Sequence, residues 1–234
     1  MSASPVRINQ SFLAVREQRL IRWILPKLPA GVTSLDLTIF GLAGSCVGAI
    51  GLLACNLSNF GLVLVALGVS MNWFGDSLDG SLARFRKEER PRFGFLVDHT
   101  SDLLSQIILI VGFGLSPFLS LLAAMAILLC YMLFSAYTYI RAATHSIHQM
   151  AYIGLGATEF RILMIAWAFA GAAFGLREPI IGALSRIDIA VLTLAGMATL
   201  GLFAKAFAEA AEIWREENLE DAPVEAARQS PDKA

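Results

Sequence analysis

The stretch that decides the fold joins two apolar runs and reads NWFGDSLDGSLAR at 72–84 and GFLVDHTSD at 94–102. The first segment closes an apolar run that starts near 59, and the second opens a run that ends near 117. Each run has the roughly 20 residues that a helix needs to cross the hydrocarbon core of a bilayer. The nine residues 85–93 between them are enough to reverse the chain. This stretch therefore predicts two antiparallel membrane helices that meet at one end.

Composition indicates a membrane protein over the whole chain of 234 residues. Apolar residues make up 56% and charged residues 16%, whereas about 25% charged residues are usual in soluble proteins. A soluble domain of this size could not bury so much apolar surface. Cys46, Cys55 and Cys130 lie inside apolar runs at irregular spacing, which argues against a disulfide scaffold and a metal-binding cysteine motif. The net charge of −1 gives no reason to expect nucleic acid as a partner.

Six segments are apolar and long enough to span a membrane. They are 35–56, 59–82, 94–117, 118–141, 159–176 and 187–208. We therefore predict an all-α integral membrane fold with six transmembrane helices. Before them, residues 13–28 place Leu and Ile at helical spacing and charged residues mostly on the other side, which predicts an N-terminal amphipathic helix. This helix lies at the membrane interface or, alternatively, forms a soluble cap on the bundle.

Three regions follow from this pattern: the amphipathic helix in 1–33, the six-helix membrane domain in 34–212, and a polar, disordered tail in 213–234. Sixteen of the 18 Lys and Arg residues fall on the side of the two termini, and only Arg177 and Arg186 fall on the other. Positive charge accumulates on the cytoplasmic side of membrane proteins. The active site and both termini are therefore predicted to lie on the cytoplasmic side of the cytoplasmic (inner) membrane.

Four aspartates stand where a membrane helix should carry none. Asp76 and Asp79 are three residues apart, and Asp98 and Asp102 are four apart, so each pair shares one helix face. An ionised Asp inside a spanning helix costs about 2.5–3.5 kcal/mol on insertion scales. If the two faces oppose each other, a cation between them removes the repulsion. Carboxylate oxygens suit Mg²⁺, Mn²⁺ or Ca²⁺, and four of them are enough to hold two divalent ions.

Small residues and one arginine accompany these acids. Gly80, Ala83 and Gly94 lack bulk where a ligand would have to approach closely, and Arg84 could pair with a phosphate oxygen. Divalent ions that bridge phosphoryl oxygens stabilise the charge of a displacement at phosphorus. Together these residues indicate a metal-dependent transferase that acts on a lipid-linked diphosphate.

At these residues the sequence resembles the CDP-alcohol phosphatidyltransferase family, whose signature is D-x2-D-G-x2-A-R followed by G-x3-D-x3-D. All eight fixed positions are present: Asp76, Asp79, Gly80, Ala83, Arg84, Gly94, Asp98 and Asp102. The spacer of nine residues between the halves is one longer than the commoner spacer. The family's T-P-N-x-x-T opening keeps only Thr33 and Thr38 here. The likeness covers residues 10–210 approximately.

The resemblance implies transfer of a phosphatidyl group from CDP-diacylglycerol to an alcohol, with release of CMP, by a homodimer that uses Mg²⁺ or Mn²⁺. It implies metal ligation by Asp76, Asp79, Asp98 and Asp102, with Asp102 also taking the proton of the attacking hydroxyl. It further implies a binding site for the CDP moiety. That site comprises Thr38, Asp79, Gly80, Ala83, Arg84 and Gly94.

The acceptor is the least determined part of the site. Arg141, Arg161 and Lys205 all fall at the predicted cytoplasmic level, where they could bind an anionic acceptor such as glycerol 3-phosphate or inositol phosphate. Alternatively, they are ordinary positive-inside residues.

Two other functions use acidic membrane helices. A membrane prenyltransferase would carry its second acidic motif on a distant helix, and a divalent-cation transporter would carry carboxylates near the bilayer midplane. Here both acidic pairs flank one connection.

The glycines at 41, 44, 48 and 51 predict close helix packing, within one protomer or between two.

Overall fold

The computed structural model describes residues 6–8, 13–145, 147–149, 157–175, 179–181 and 184–228. The helices in these ranges are α1 (Ala14–Ile24), α2 (Ser34–Ala54), α3 (Gly61–Arg86), α4 (Pro91–Gly114), α5 (Leu121–His145), α6 (Ala157–Phe174) and α7 (Arg186–Arg228). A 3-10 turn, Leu25–Lys27, follows α1. Four strands of two or three residues form two pairs: β1 (Val6–Ile8) with β2 (Ile147–Gln149), and β3 (Pro179–Ile181) with β4 (Leu184–Ser185). The fold is thus all-α apart from these short pairs, as predicted.

Five of the described helices are long and apolar enough to cross a membrane, namely α2, α3, α4, α5 and α7. The predicted span at 159–176 corresponds to α6, which has 18 residues. At 1.5 Å per residue α6 extends about 27 Å, slightly less than the hydrocarbon core of about 30 Å.

The connection between α3 and α4 is shorter than the predicted 85–93. Helix α3 continues to Arg86 and ends at Lys87, which has φ 60° in the left-handed region, and α4 begins at Pro91. Proline suits the first turn of a helix because its missing N–H has no partner there. Only four residues therefore separate α3 from α4, and the acidic segments of both helices lie at the same end of the bundle.

Glycines bring α2 and α3 into backbone contact. A Cβ built on Gly44 would lie 2.6 Å from the Asn72 backbone nitrogen, and one on Gly51 would lie 2.6 Å from that of Val65. Gly61, Gly68 and Gly75 face α2 in the same way from α3. The glycine stripe predicted to pack helices therefore does so within one chain.

Apolar packing forms two clusters. The larger joins α2, α3, α4, α5 and α6, and includes Leu52, Val65, Leu109, Phe113 and Ala168. The smaller lies at the acidic end, where Ile21 of α1 and Leu25 pack against Leu37, Leu78 and Leu82. Helix α1 is thus held beside the segment that carries the aspartates.

Helix α7 begins at a buried cap and extends further than expected. The fully buried Asp188 accepts hydrogen bonds from the backbone N–H groups of Ser120 and Ser185, both at 2.8 Å. This carboxylate fastens the start of α7 to the start of α5. At its other end α7 continues to Arg228, where the sequence predicted a disordered tail from 213. Seven of the 16 residues at 213–228 are Ala or Glu, and both have high helix propensity.

Candidate metal and diphosphate site

Three of the four signature aspartates converge. One carboxylate oxygen from each of Asp76, Asp98 and Asp102 lies within 4.8 Å of the other two. Asp76 comes from the second half of α3, and Asp98 and Asp102 come from the first half of α4. The i,i+4 spacing places the latter two on one face, and the short turn brings that face against α3.

The fourth aspartate, Asp79, points toward α2 and is only 5% exposed. Its carboxylate accepts a hydrogen bond from the Thr38 hydroxyl at 2.7 Å and another from the Gly80 backbone N–H. Asp79 lies outside the group of three but lines the same small cavity as Asp76 and Asp102. Thr38 therefore orients an aspartate, a role that its position in the sequence did not indicate.

A buried arginine approaches the acids from α6. The Arg161 side chain is 5% exposed, and its Nη2 donates to Asp76 Oδ2 at 2.8 Å. Its Nε donates to Asn72 Oδ1 at 2.7 Å. A buried charge needs a partner of opposite sign and satisfied hydrogen bonds. Arg161, predicted as an acceptor-binding residue, is therefore engaged in holding Asp76 in this structure.

Asn72 connects three helices beneath the acids, and sequence reasoning did not single it out. It is 2% exposed, and its Nδ2 donates to the Gly41 carbonyl, to Ser45 Oγ and to Ser105 Oγ at 3.0–3.2 Å. Asn72 lies one helical turn before Asp76, so an amide on the acidic face of a spanning helix was the available signal.

The residues predicted to contact a diphosphate lie at the open edge of the site. Arg84 is exposed and donates to Ser81 Oγ at 3.2 Å. A Cβ on Gly80 would lie 3.3 Å from Arg84 Nη1, so the guanidinium rests against the glycine. A Cβ on Gly94 would meet nothing within 4 Å. Ala83 is half-buried beside Arg84.

The other two predicted acceptor residues lie between α5 and α7. Arg141 Nε is 3.1 Å from Glu209 Oε1, and Tyr137 donates its hydroxyl to the same carboxylate. Lys205 is exposed one turn before Glu209 on α7. In this arrangement Arg141 forms an ion pair with Glu209, and Arg161 forms one with Asp76.

The acidic group has the donors that a hard divalent ion prefers. Three carboxylates from two facing helices offer oxygen atoms at mutual distances within the reach of one ion. Arg161 offsets only part of their charge because it is paired with Asp76 alone among them. The residues present therefore fit a divalent cation, and the exposed Arg84 supplies a second cationic group for a phosphate.

Comparisons with known proteins agree with a site for a divalent cation and a phosphate. A sequence model of the family described as CDP-alcohol phosphatidyltransferase matches residues 33–208. Archaetidylinositol phosphate synthase from Methanothermobacter thermautotrophicus is 30% identical over 163 residues, which cover 68% of this chain and 77% of that protein. The matched region contains every signature residue described above.

Proposed function

We propose how the site works from one premise: this chain belongs to the CDP-alcohol phosphatidyltransferase family. It is therefore a membrane transferase that moves a phosphatidyl group from a CDP-lipid to the hydroxyl of an alcohol. Because the family is shown, the alternative interpretations as a prenyltransferase or a divalent-cation transporter are rejected. The observation that carries the mechanism is the convergence of Asp76, Asp98 and Asp102 on one point within the signature.

Four aspartates would hold the divalent cations. Asp76, Asp98 and Asp102 offer the converging oxygens, and Asp79 offers its carboxylate from the same cavity. When bound, Mg²⁺ or Mn²⁺ would neutralise the diphosphate and stabilise charge on the phosphoryl oxygens. The four carboxylates match the two ions expected from the sequence. Arg161 and Thr38 keep Asp76 and Asp79 in place through the hydrogen bonds described above.

Asp102 would accept the proton of the acceptor hydroxyl. The hydroxyl oxygen forms a bond to the phosphorus of the phosphatidyl group, the bond from that phosphorus to the CMP oxygen breaks, and the proton passes to Asp102. A carboxylate is a weak base for an alcohol, so its position beside the reacting oxygen matters more than its strength. Asp102 lies one turn further along α4 than Asp98 and lines the same small cavity as Asp76 and Asp79.

The CDP moiety would lie along the open edge of the site. Arg84 would pair with a phosphate oxygen, and the missing side chains at Gly80 and Gly94 leave room for the ligand. The space around Gly94 is open on the surface, as a binding edge requires. Ala83, Asp79 and Thr38 complete the set proposed for this moiety.

We propose a phosphorylated alcohol as the acceptor, and the name of the relative supports inositol phosphate. Arg141 lies two residues after Tyr139, whose ring centroid is 5.3 Å from that of His99 at the acidic end of the bundle. Lys205 lies one turn before Glu209, the ion-pair partner of Arg141, and both residues would provide cationic groups for an acceptor phosphate. Arg161 reaches the same region from α6 but would act through Asp76.

Replacing Arg141 tests the acceptor pocket. Arg141→Ala is expected to raise the KM for inositol phosphate about tenfold to a hundredfold, which corresponds to the loss of a charged hydrogen bond of about 1.5–3 kcal/mol. The KM for the CDP-lipid should change little. Arg215→Ala, an exposed arginine further along α7, is the matched control. An unchanged acceptor KM in Arg141→Ala would contradict the proposed pocket.

The membrane arrangement is also proposed from the sequence. Helix α6 would be the sixth span, and α1 would lie in the interface, where the Lys27 ammonium rests over the Trp23 ring. The active site and both termini would face the cytoplasm. The domain division at 33 and 212 and a homodimer complete this proposal. Native mass measurement in nanodiscs tests the dimer, and cysteine labelling at the termini tests the sidedness.

A CMP-release assay tests the reaction. Purified protein is given CDP-diacylglycerol together with inositol phosphate, glycerol 3-phosphate, inositol or serine, with and without Mg²⁺ or Mn²⁺. We expect CMP and a new lipid to form only when the acceptor is a phosphorylated alcohol. Neither product should form after chelation of the metal with EDTA. Release with an unphosphorylated alcohol alone would exclude the anionic acceptor, and full activity in EDTA would exclude the metal role.

A further inference from the structure

Helix α1 is hydrogen-bonded to the two helices that carry Asp76 and Arg161. Oε1 of Glu17 accepts from Trp73 Nε1 at 2.9 Å and from Ser77 Oγ at 3.0 Å, both on α3. The same oxygen accepts from Thr158 Oγ1 at 2.6 Å, on α6. One carboxylate oxygen of α1 thus ties two other helices together.

The partners of Glu17 surround the ion pair inside the site. Trp73 lies three residues before Asp76, Ser77 lies directly after it, and Thr158 lies three residues before Arg161. Residues three apart are neighbours on a helix surface. The hydrogen bonds of Glu17 therefore act on the same turns of α3 and α6 that bring Arg161 to Asp76 at 2.8 Å.

Apolar packing alone does not set the spacing of these helices. An open groove of about 310 Å³ lies between α1, α3 and α6. Its apolar lining includes Leu13, Leu20, Val69, Ile162 and Ile165. Close-packed contacts resist movement, whereas the open groove leaves room for α6 to shift toward α1 once the polar contacts are lost. The hydrogen bonds of Glu17 cross this groove from α1 to both α3 and α6.

A second contact joins the start of α1 to α6. The Leu13 backbone N–H, at the N-terminus of α1, donates to Glu159 Oε1 at 2.7 Å. This N–H would otherwise lack a helical partner, and a carboxylate is favourable at that end of a helix. Glu17 and Glu159 thus fix both the position and the rotation of α1 against α6.

We propose that Glu17 is a positioning residue for the transferase, an inference that rests on the proposed function of the aspartate site. From α1 it holds α3 and α6 where Arg161 reaches Asp76, and so it keeps Asp76 oriented toward the other two carboxylates. Helix α1 is in this view part of the machinery that shapes the site, in addition to any membrane contact it makes.

Kinetics of three variants test this proposal. Glu17→Ala is expected to lower kcat about tenfold, which corresponds to about 1.4 kcal/mol in the activation free energy, because Asp76 is no longer held in its orientation. The KM for the CDP-lipid should stay within about twofold of the wild-type value. The Mn²⁺ concentration for half activation should rise several-fold. Glu17→Gln retains an oxygen acceptor in the same place and should restore most of kcat. Gln18→Ala, an exposed neighbour on α1, is the matched control and should behave as the wild type.

A merely structural role would give a different pattern. If kcat and the melting temperature fall together in Glu17→Ala, and Glu17→Gln restores neither, the proposal is overturned. The proposal is also overturned if Glu17→Ala has the same kcat and the same Mn²⁺ dependence as the wild type. If Glu17→Ala does not fold, Thr158→Val removes one donor only. It should lower kcat by a smaller factor, and an unchanged kcat counts against the proposal.

Hydrogen exchange separates this proposal from the proposed function. In nanodiscs, Glu17→Ala should exchange faster than the wild type in peptides covering 70–80 and 157–165, and no faster in those of α7. This result requires no substrate. If the wild type transfers nothing to any acceptor, the proposed function fails, and the exchange data still decide whether Glu17 fixes α3 and α6. Equal exchange in both proteins would overturn the proposal that Glu17 holds α3 and α6 in place.

Discussion

Asp102→Asn is expected to abolish turnover while CDP-diacylglycerol still binds. The amide has nearly the same shape as the carboxylate but cannot accept the proton of the acceptor hydroxyl. Loss of a positioned general base costs about 10²–10⁴-fold in rate, and loss of one of the three converging carboxylates weakens metal binding as well. CMP release in single-turnover conditions measures the rate, and binding of radiolabelled CDP-diacylglycerol measures the complex.

The matched control for this variant is Asp36→Asn. Asp36 is an exposed aspartate near the same end of the bundle, where it caps α2 through Thr33. Asn also serves in helix capping, so this variant should keep both the rate and the fold. Near-normal turnover of Asp102→Asn would remove the base assignment. Loss of CDP-diacylglycerol binding together with turnover would instead assign Asp102 to substrate binding.

Gly68→Val is expected to prevent α2 and α3 from packing. A Cβ on Gly68 would lie 2.6 Å from the Gly48 Cα and 2.5 Å from the Gly44 carbonyl oxygen. These atoms belong to the backbone of α2 and cannot move aside as a flexible side chain can. Overpacking costs about 1–3 kcal/mol and sometimes more, and we expect a loss of at least about 3 kcal/mol in the free energy of unfolding. Unfolding in SDS, followed by circular dichroism, measures it.

Gly196→Val controls for the cost of a β-branched residue in a helix. A Cβ on Gly196 would meet nothing within 4 Å, so only the change in helix propensity remains. Its unfolding should match the wild type within about 1 kcal/mol. Equal unfolding of Gly68→Val and Gly196→Val would mean that α2 and α3 do not approach as closely as this structure has them.

The aspartate cluster follows from sequence for a simple geometric reason. Spacings of three and four residues place Asp76 with Asp79, and Asp98 with Asp102, on one face of each helix. A short connection between antiparallel helices then brings the two faces to the same end. The signature accordingly identified the family, which the family match over 33–208 confirms. The helix periods also predicted the all-α membrane fold.

Spacing did not reveal how the four acids divide. Both members of the first pair were expected to face α4, but Asp79 bonds to Thr38 of α2. At three residues apart, two side chains on α3 differ by about 60° around the axis at 3.6 residues per turn. With glycines holding α2 so close, that difference is enough for Asp79 to face a different helix.

The sequence by itself determined the chemistry of this protein: which residue types lie on which helix face, and hence a transferase with carboxylates at one end of a membrane bundle. Tertiary structure alone decided which residues support them. Arg161 and Glu17 lie 85 and 59 residues from Asp76 in the chain, and periodicity carries no information at such separations. Whether a buried arginine binds a substrate or an aspartate depends on which helix packs beside it.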